Sequence, residues 1–305
     1  MTARLIRTAT AAALLLGAAA CSSSSGGDPL AAPSGSSAGG SGKTVVIGSA
    51  NFPENELLAS IYSQALKAKG VKVEEKFNIG SREVLYGQLK SGGLTVLPEY
   101  NGALLTYLDA KNPALTGGTE AVNAALVLKL PAELALLDSS AAQDNDSLTV
   151  SAETAAKYNL KSIADLAGKS AEFVIGGPPE FKNRSEPLLK DTYGLTFKEW
   201  KPTGETTANA IKDGSIQVGN VFTTDPKIVT LKLVSLTDPK NAFSTQNITP
   251  LVNKAGVDAT ATAVLNKVSA KLDTAGLAEL MKRVAVDKAD PAAVAKDWLK
   301  ANSLI

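Results

Sequence analysis

An α/β protein built as two units around a cleft is the fold this sequence predicts, and three observations predict it. Short β-branched runs alternate with helical stretches from residue 44 onward, an alternation that belongs to layered α/β folds. The chain has 305 residues, enough for two separate cores. No long Ser-, Gly- or Pro-rich linker interrupts the alternating part. Its two units therefore stay adjacent, and an interface of that kind is a favoured place for a ligand pocket.

The elements follow in order. "TVVIG" reads as a buried strand. In "PENELLASIYSQALKAKG", Leu57, Leu58, Ile61, Ala65 and Leu66 fall on one helical face. Pro53 with Glu54 and Glu56 suits its first turn and Gly70 its stop. "VKVEEKFNIG" is a second strand, "SREVLYGQLKSG" a helix with Ser81 as N-cap, and "GLTVLPEY" a third strand. That third strand ends at Tyr100, followed by an Asn-Gly pair read as a turn. A second unit starts near "DSLTVSAETAAKYNL". Strands follow at "AEFVIGG", "FKEWKP", "IQVGNVF" and "LKLVSL", with helical runs "SIADLAG", "SEPLLKDTYG" and "TANAIKDG" between them. The chain from Ala259 to Leu304 reads as nearly all helix, and no internal repeat is evident. Helical crossovers imply parallel strand pairing, with ligands at the carboxyl ends of the strands.

Composition narrows the chemistry. The formal net charge is +1, from 31 basic and 30 acidic residues; setting aside residues 1–20, which hold Arg4 and Arg7, leaves 29 against 30 and a net −1. A nucleic-acid partner would need a basic face. There is no histidine, and Cys21 is the single cysteine. Ser-His-Asp and Cys-His nucleophiles, His-based metal sites and internal disulfides are therefore excluded. An enzyme would have to work with carboxylates such as Asp144 and Asp146, and nothing else in the chain supports turnover.

Residues 1–20 have a basic start, an apolar run too short to span a bilayer and then small residues, the physics of a secretory signal. Cys21 directly after them resembles the lipidated cysteine of a bacterial lipoprotein, although Ala18 stands where such signals usually carry Leu. A plain secretory signal is the alternative. Residues 21–43 are mostly Ser, Gly, Ala and Pro, and read as a flexible tether. Its end, "GGSGKT", is not a phosphate-binding loop: Ser37 replaces the first glycine of that motif, and a linker rather than a strand precedes it.

The stretches "VVIGSANFPENELLASIYSQAL", "LPEYNGALLTYL", "IGGPPEF.NR", "YGLTFKEWKP", "VFTTDP" and "DPAAVAKDWLKANSL" resemble the osmoprotectant-binding proteins of ABC importers, the ProX-like or OsmF-like receptors for glycine betaine, choline and carnitine. The resemblance implies a two-lobe periplasmic-binding-protein fold of type II with the ligand cleft between lobes. It places residues 44–145 plus 248–305 in lobe I and 146–247 in lobe II. It further implies a monomeric receptor, lipid-anchored at Cys21 on the extracytoplasmic face of the cell membrane. Such a receptor delivers a solute to a permease and an ATPase, with no cofactor, metal or catalytic residue. A sensor or regulatory lipoprotein for a different small solute, without betaine uptake, remains open.

In that family a cage of tyrosines holds the trimethylammonium head, and basic or polar groups hold any carboxylate. A quaternary ammonium has no N–H to donate, so ring faces stabilise it at roughly 0.5–2 kcal/mol per contact. Carried over by motif, Tyr100 is a cage ring and Arg184 the anion clamp. Asn51, Asn101, Phe222 and Thr223 complete the expected ligand contacts. Asp144 matches an acidic position that faces the ammonium in some relatives. Departures are Asp146, Gln246 and Asn247, where relatives carry aromatics, and Ala50, where several carry lysine. The resemblance thus leaves two rings, Tyr100 and Phe222, and implies a more polar pocket with modest betaine affinity.

Overall fold

The computed structural model describes residues 43–305. The expected signal, the lipidated Cys21 and the tether up to residue 42 lie outside the described residues. In chain order the elements are β1 (Val45–Ala50), α1 (Pro53–Ala68), β2 (Val73–Gly80), α2 (Arg82–Ser91), β3 (Val96–Tyr100), α3 (Asn101–Leu108), α4 (Gly118–Lys129) and β4 (Leu134–Leu136). Then come β5 (Asp146–Ser151), α5 (Ala152–Tyr158), β6 (Val174–Gly177), α6 (Pro179–Tyr193), β7 (Glu199–Pro202), α7 (Thr207–Lys212), β8 (Val218–Phe222), α8 (Pro226–Thr230) and β9 (Leu233–Ser235). The chain closes with β10 (Ile248–Asn253), α9 (Ala259–Ser269), α10 (Thr274–Met281) and α11 (Pro291–Ala301).

Two five-stranded sheets result, ordered β2-β1-β3-β10-β4 and β7-β6-β8-β5-β9. The expected parallel pairing holds where a helix connects the strands: β1 with β2 and β3, and β6 with β7 and β8. It fails at β10, antiparallel to both β3 and β4, and at β5, antiparallel to β8 and β9. The reason is connectivity. These two strands enter their sheet directly from the other sheet, without a crossover helix to turn the chain back, so they arrive running the opposite way.

Each sheet has its own apolar packing. Leu57, Leu58, Ile61 and Leu66 of α1 are fully buried with Val96, Ile248 and the carboxyl-terminal helices, each contributing about 2 kcal/mol of burial. Phe173, Ile175, Phe181, Leu189 and Val218 form the counterpart in the second sheet's layer. Two segments join the sheets, between β4 and β5 and between β9 and β10. "SIADLAG" forms only a short 3-10 turn, Ile163–Leu166. The helix read at "SEPLLKDTYG" begins six residues earlier, at Pro179, so Arg184 sits within it rather than in a loop.

Candidate ligand site

The register of the two antiparallel pairs builds the site. Tyr100, the last residue of β3, lies opposite Ile248, the first of β10; Asp146, the first of β5, lies opposite Phe222, the last of β8. Both pairs sit where the chain crosses between the sheets, so residues distant in sequence meet at one place. A cavity of about 500 Å³ opens there, within the range of small-molecule sites. Its lining includes four aromatic rings, Phe52, Tyr100, Phe222 and Phe243, two more than the sequence reading expects. Its charged lining is Asp144, Asp146 and Arg184. Two carboxylates against one guanidinium leave one negative charge uncompensated.

Phe52 owes its place to the strand–helix junction. The buried Asn55 accepts from Ala50 N (2.7 Å) and donates to Pro98 O (2.9 Å), tying the ends of β1 and β3 together. Phe52 caps α1 just ahead of Pro53 with extended backbone, and its ring stands 6.1 Å from that of Tyr100. Phe52 is 39% and Phe222 50% exposed, and large exposed rings grouped at a cavity mark a binding surface.

Tyr100 is 7% exposed. Its hydroxyl donates to Glu54 Oε1 at 2.7 Å, which leaves the ring to face the cavity. Glu54, on the first turn of α1, is buried behind the ring. Burial, and then the nearby Asp144 charge, push its carboxyl up from 4.5 to about 8. Asp144 accepts from Thr224 Oγ1 at 2.6 Å. Burial, and secondarily the neighbouring Asp146 and Asp225, raise its affinity for a proton against that hydrogen bond. These acids are short of positive partners, and a cation in the cavity would supply one.

Arg184 is engaged. Its Nη1 donates to Asp146 Oδ2 and its Nη2 to Oδ1 (3.1 Å), and Asn220 Nδ2 adds a third hydrogen bond to Oδ1 at 2.9 Å. The guanidinium lies 5.6 Å from the Phe181 ring. The expected carboxylate clamp therefore already holds a carboxylate of its own chain.

The remaining expected positions are distributed differently. Gln246 lines the cavity, but its Oε1 is bound to Ala103 N at 2.8 Å. Asn101 and Asn247 lie off the cavity lining; both are buried and serve the crossing. Asn247 N donates to Asn101 Oδ1 (2.8 Å), Asn247 Nδ2 to Ser140 O (2.8 Å), and Asn101 Nδ2 to Asn123 Oδ1 (2.9 Å). Thr223 also points away, its hydroxyl bridging Gln143 O (2.6 Å) and Asn145 N (2.9 Å). Asn51 lines a separate recess of about 110 Å³ beside the Arg82–Glu99 ion pair.

Phe52, Phe243 and Glu54 are the residues the sequence reading missed. Glu54 had a signal: it precedes Leu57, Leu58 and Ile61 by three, four and seven residues, on the same helical face. Phe243 had only its nearness to the second crossing. Among the described residues no group of His, Cys, Asp and Glu is placed to hold a metal ion, and no helix is long and apolar enough to cross a membrane.

Comparison with known proteins adds a family. A model of the substrate-binding domain of ABC-type glycine betaine transport systems matches residues 43–301. The glycine betaine-binding protein YehZ of Escherichia coli K12 is 28% identical over 274 residues, 84% of this chain and 90% of that protein. A glycine-betaine-binding protein of Pseudomonas aeruginosa is 27% identical over 282 residues, 86% of this chain and 89% of that protein. The solved apo structure of E. coli YehZ superposes with a TM-score of 0.78 at 25% identity, covering 86% of this chain and 99% of that one.

Proposed function

The chain belongs to the family of substrate-binding domains of ABC-type glycine betaine transport systems, and from that premise we propose that its cavity captures a small quaternary-ammonium solute. Members of this family bind a solute outside the cytoplasm and pass it to a permease; they catalyse no reaction. The observation that carries the ligand class is the pairing of Tyr100, Phe52, Phe222 and Phe243 with Asp144 and Asp146 around one cavity. Ring faces attract a cation that has no N–H, at roughly 0.5–2 kcal/mol per ring, and the surplus carboxylate charge adds to that attraction. The reading extends to the whole receptor. Residues 44–145 with 248–305 form one lobe and 146–247 the other, closing on the solute as a monomer. Residues 1–20 are the signal, and a lipid on Cys21 holds the tethered protein at the outer face of the membrane. The mass of the amino-terminal peptide from membranes checks the lipid.

Calorimetric titration with glycine betaine, choline, carnitine and proline tests the ligand class. At least one quaternary amine binds and proline does not. Replacing Tyr100 by Ala weakens the binding about ten-fold, the worth of one or two ring contacts. Proline binding as well as the quaternary amines, or Tyr100→Ala without effect, would refute it.

A further inference from the structure

We propose that Asp146 is a built-in carboxylate that fills the fork of Arg184, so that the site selects small monocations without a carboxylate over zwitterions of the betaine type. The inference rests on the quaternary-ammonium reading and deepens it. Arg184 meets Asp146 through two of its terminal N–H groups, one to each carboxylate oxygen, the bidentate match that makes arginine a carboxylate clamp. Asn220 holds Oδ1 from a third direction, and Asp146 is anchored at the head of β5 opposite Phe222. The guanidinium carbon lies 5.6 Å from the ring centre of Phe181, which is itself buried.

A ligand carboxylate entering this site meets a guanidinium whose Nη1/Nη2 edge is taken and a like charge at its side. To use that edge of Arg184 it must displace Asp146, leaving that carboxylate in a cavity that already holds Asp144; to approach another edge it must come close to the Asp146 charge. A monocation meets the opposite situation: its charge offsets the one surplus negative charge of the lining, and no pair is broken. These features together describe a small quaternary monocation without a carboxylate, such as choline or tetramethylammonium.

The test is calorimetric titration of the full chain and two variants with choline, glycine betaine and tetramethylammonium, each protein first checked for a cooperative thermal transition. The natural chain is expected to bind choline about ten-fold or more tightly than betaine. Asp146→Asn frees the fork while keeping a hydrogen-bonding side chain of the same shape, so betaine gains about ten-fold and choline weakens. Arg184→Gln removes a group that contacts no ligand, so betaine changes by less than about three-fold while choline holds or tightens. Betaine bound as tightly as choline by the natural chain, or a choline-to-betaine ratio untouched by Asp146→Asn, overturns the proposal and leaves the quaternary-ammonium reading standing. If Asp146→Asn does not fold, Arg184→Gln decides: a loss of about ten-fold or more for betaine with choline unchanged shows a free clamp and overturns it. No binding of any of the three probes to any of the proteins overturns both.

Discussion

Glu54 is a carboxyl that its surroundings keep protonated. It is 5% exposed, accepts a hydrogen bond from the Tyr100 hydroxyl, and is raised from 4.5 to about 8 by burial and by Asp144. The unfolded chain releases this proton near 4.5, so between about pH 4.5 and 8 the folded state binds more protons than the unfolded one. Stability must then fall as pH rises through that window. Asp144, shifted in the same direction, adds to the loss. The expected outcome is a stability highest near the acid end of the window and declining toward its alkaline end by on the order of 3–5 kcal/mol, read as a falling thermal midpoint. Glu54→Gln keeps an acceptor for Tyr100 and has no proton to lose, so it should flatten that decline; an equally steep profile in the variant would assign the titration elsewhere. The residue's position on the buried face of α1 was readable from spacing. Its charge pointed the other way, because an acid in a first turn is more often a solvated partner of the helix dipole. The same competition explains the site as a whole. Tyr100, Asp144, Asp146, Arg184, Phe222 and Gln246 line the cavity, whereas Asn101, Asn247 and Thr223 serve the crossing segments, since motif position says nothing about which way a side chain hydrogen-bonds.

At the level of elements, the "NG" after Tyr100 shows how local and tertiary demands differ. Read locally it is a turn. In the structure β3 runs into α3 without a loop, and the glycine answers a packing need: a Cβ at Gly102 would meet Thr245 O at 2.0 Å and Ser244 Oγ at 2.6 Å. The second crossing segment thus lies directly on the start of α3, and Asn101 Oδ1 accepts from both Gly102 N and Asn247 N to hold it there. Gly102→Ala should therefore cost more than about 1–3 kcal/mol, the usual range for overpacking, despite alanine's better helix propensity. The midpoint of urea unfolding measures it, and an unchanged or raised midpoint would show that the crossing segment yields without strain. Strand and helix positions were legible because their hydrophobic period is local. The antiparallel entries of β5 and β10 were not, because direction in a sheet is decided by where the chain comes from, which no window of sequence records.

For the whole molecule, the site's composition predicts motion. Tyr100, Ala103 and Thr106 follow from the first sheet and its helix, while Asp146, Arg184 and Phe222 belong to the second sheet's layer. A solute touching both groups favours whichever arrangement brings them together, by the free energy of the interactions it makes only there and by no more. The crossing segments suit a pivot. Gln143, Asn145, Thr223, Asn247 and Asn101 are bound to one another or to neighbouring backbone through side chains, so a joint there would stay tied if the layers to either side turned. Two measurements on one sample then have to agree. Saturating choline at 100 times its dissociation constant raises stability by about 2.7 kcal/mol through mass action alone, visible as a higher thermal midpoint. Small-angle scattering on the same sample should show a smaller radius of gyration. Tyr100→Ala, which removes a ring from one side only, should reduce both effects at a fixed choline concentration and restore both when the ligand is raised to the new saturation. A raised midpoint with an unchanged radius would mean that the solute is held by one layer alone, and that the cavity accepts it without bringing the two sheets together.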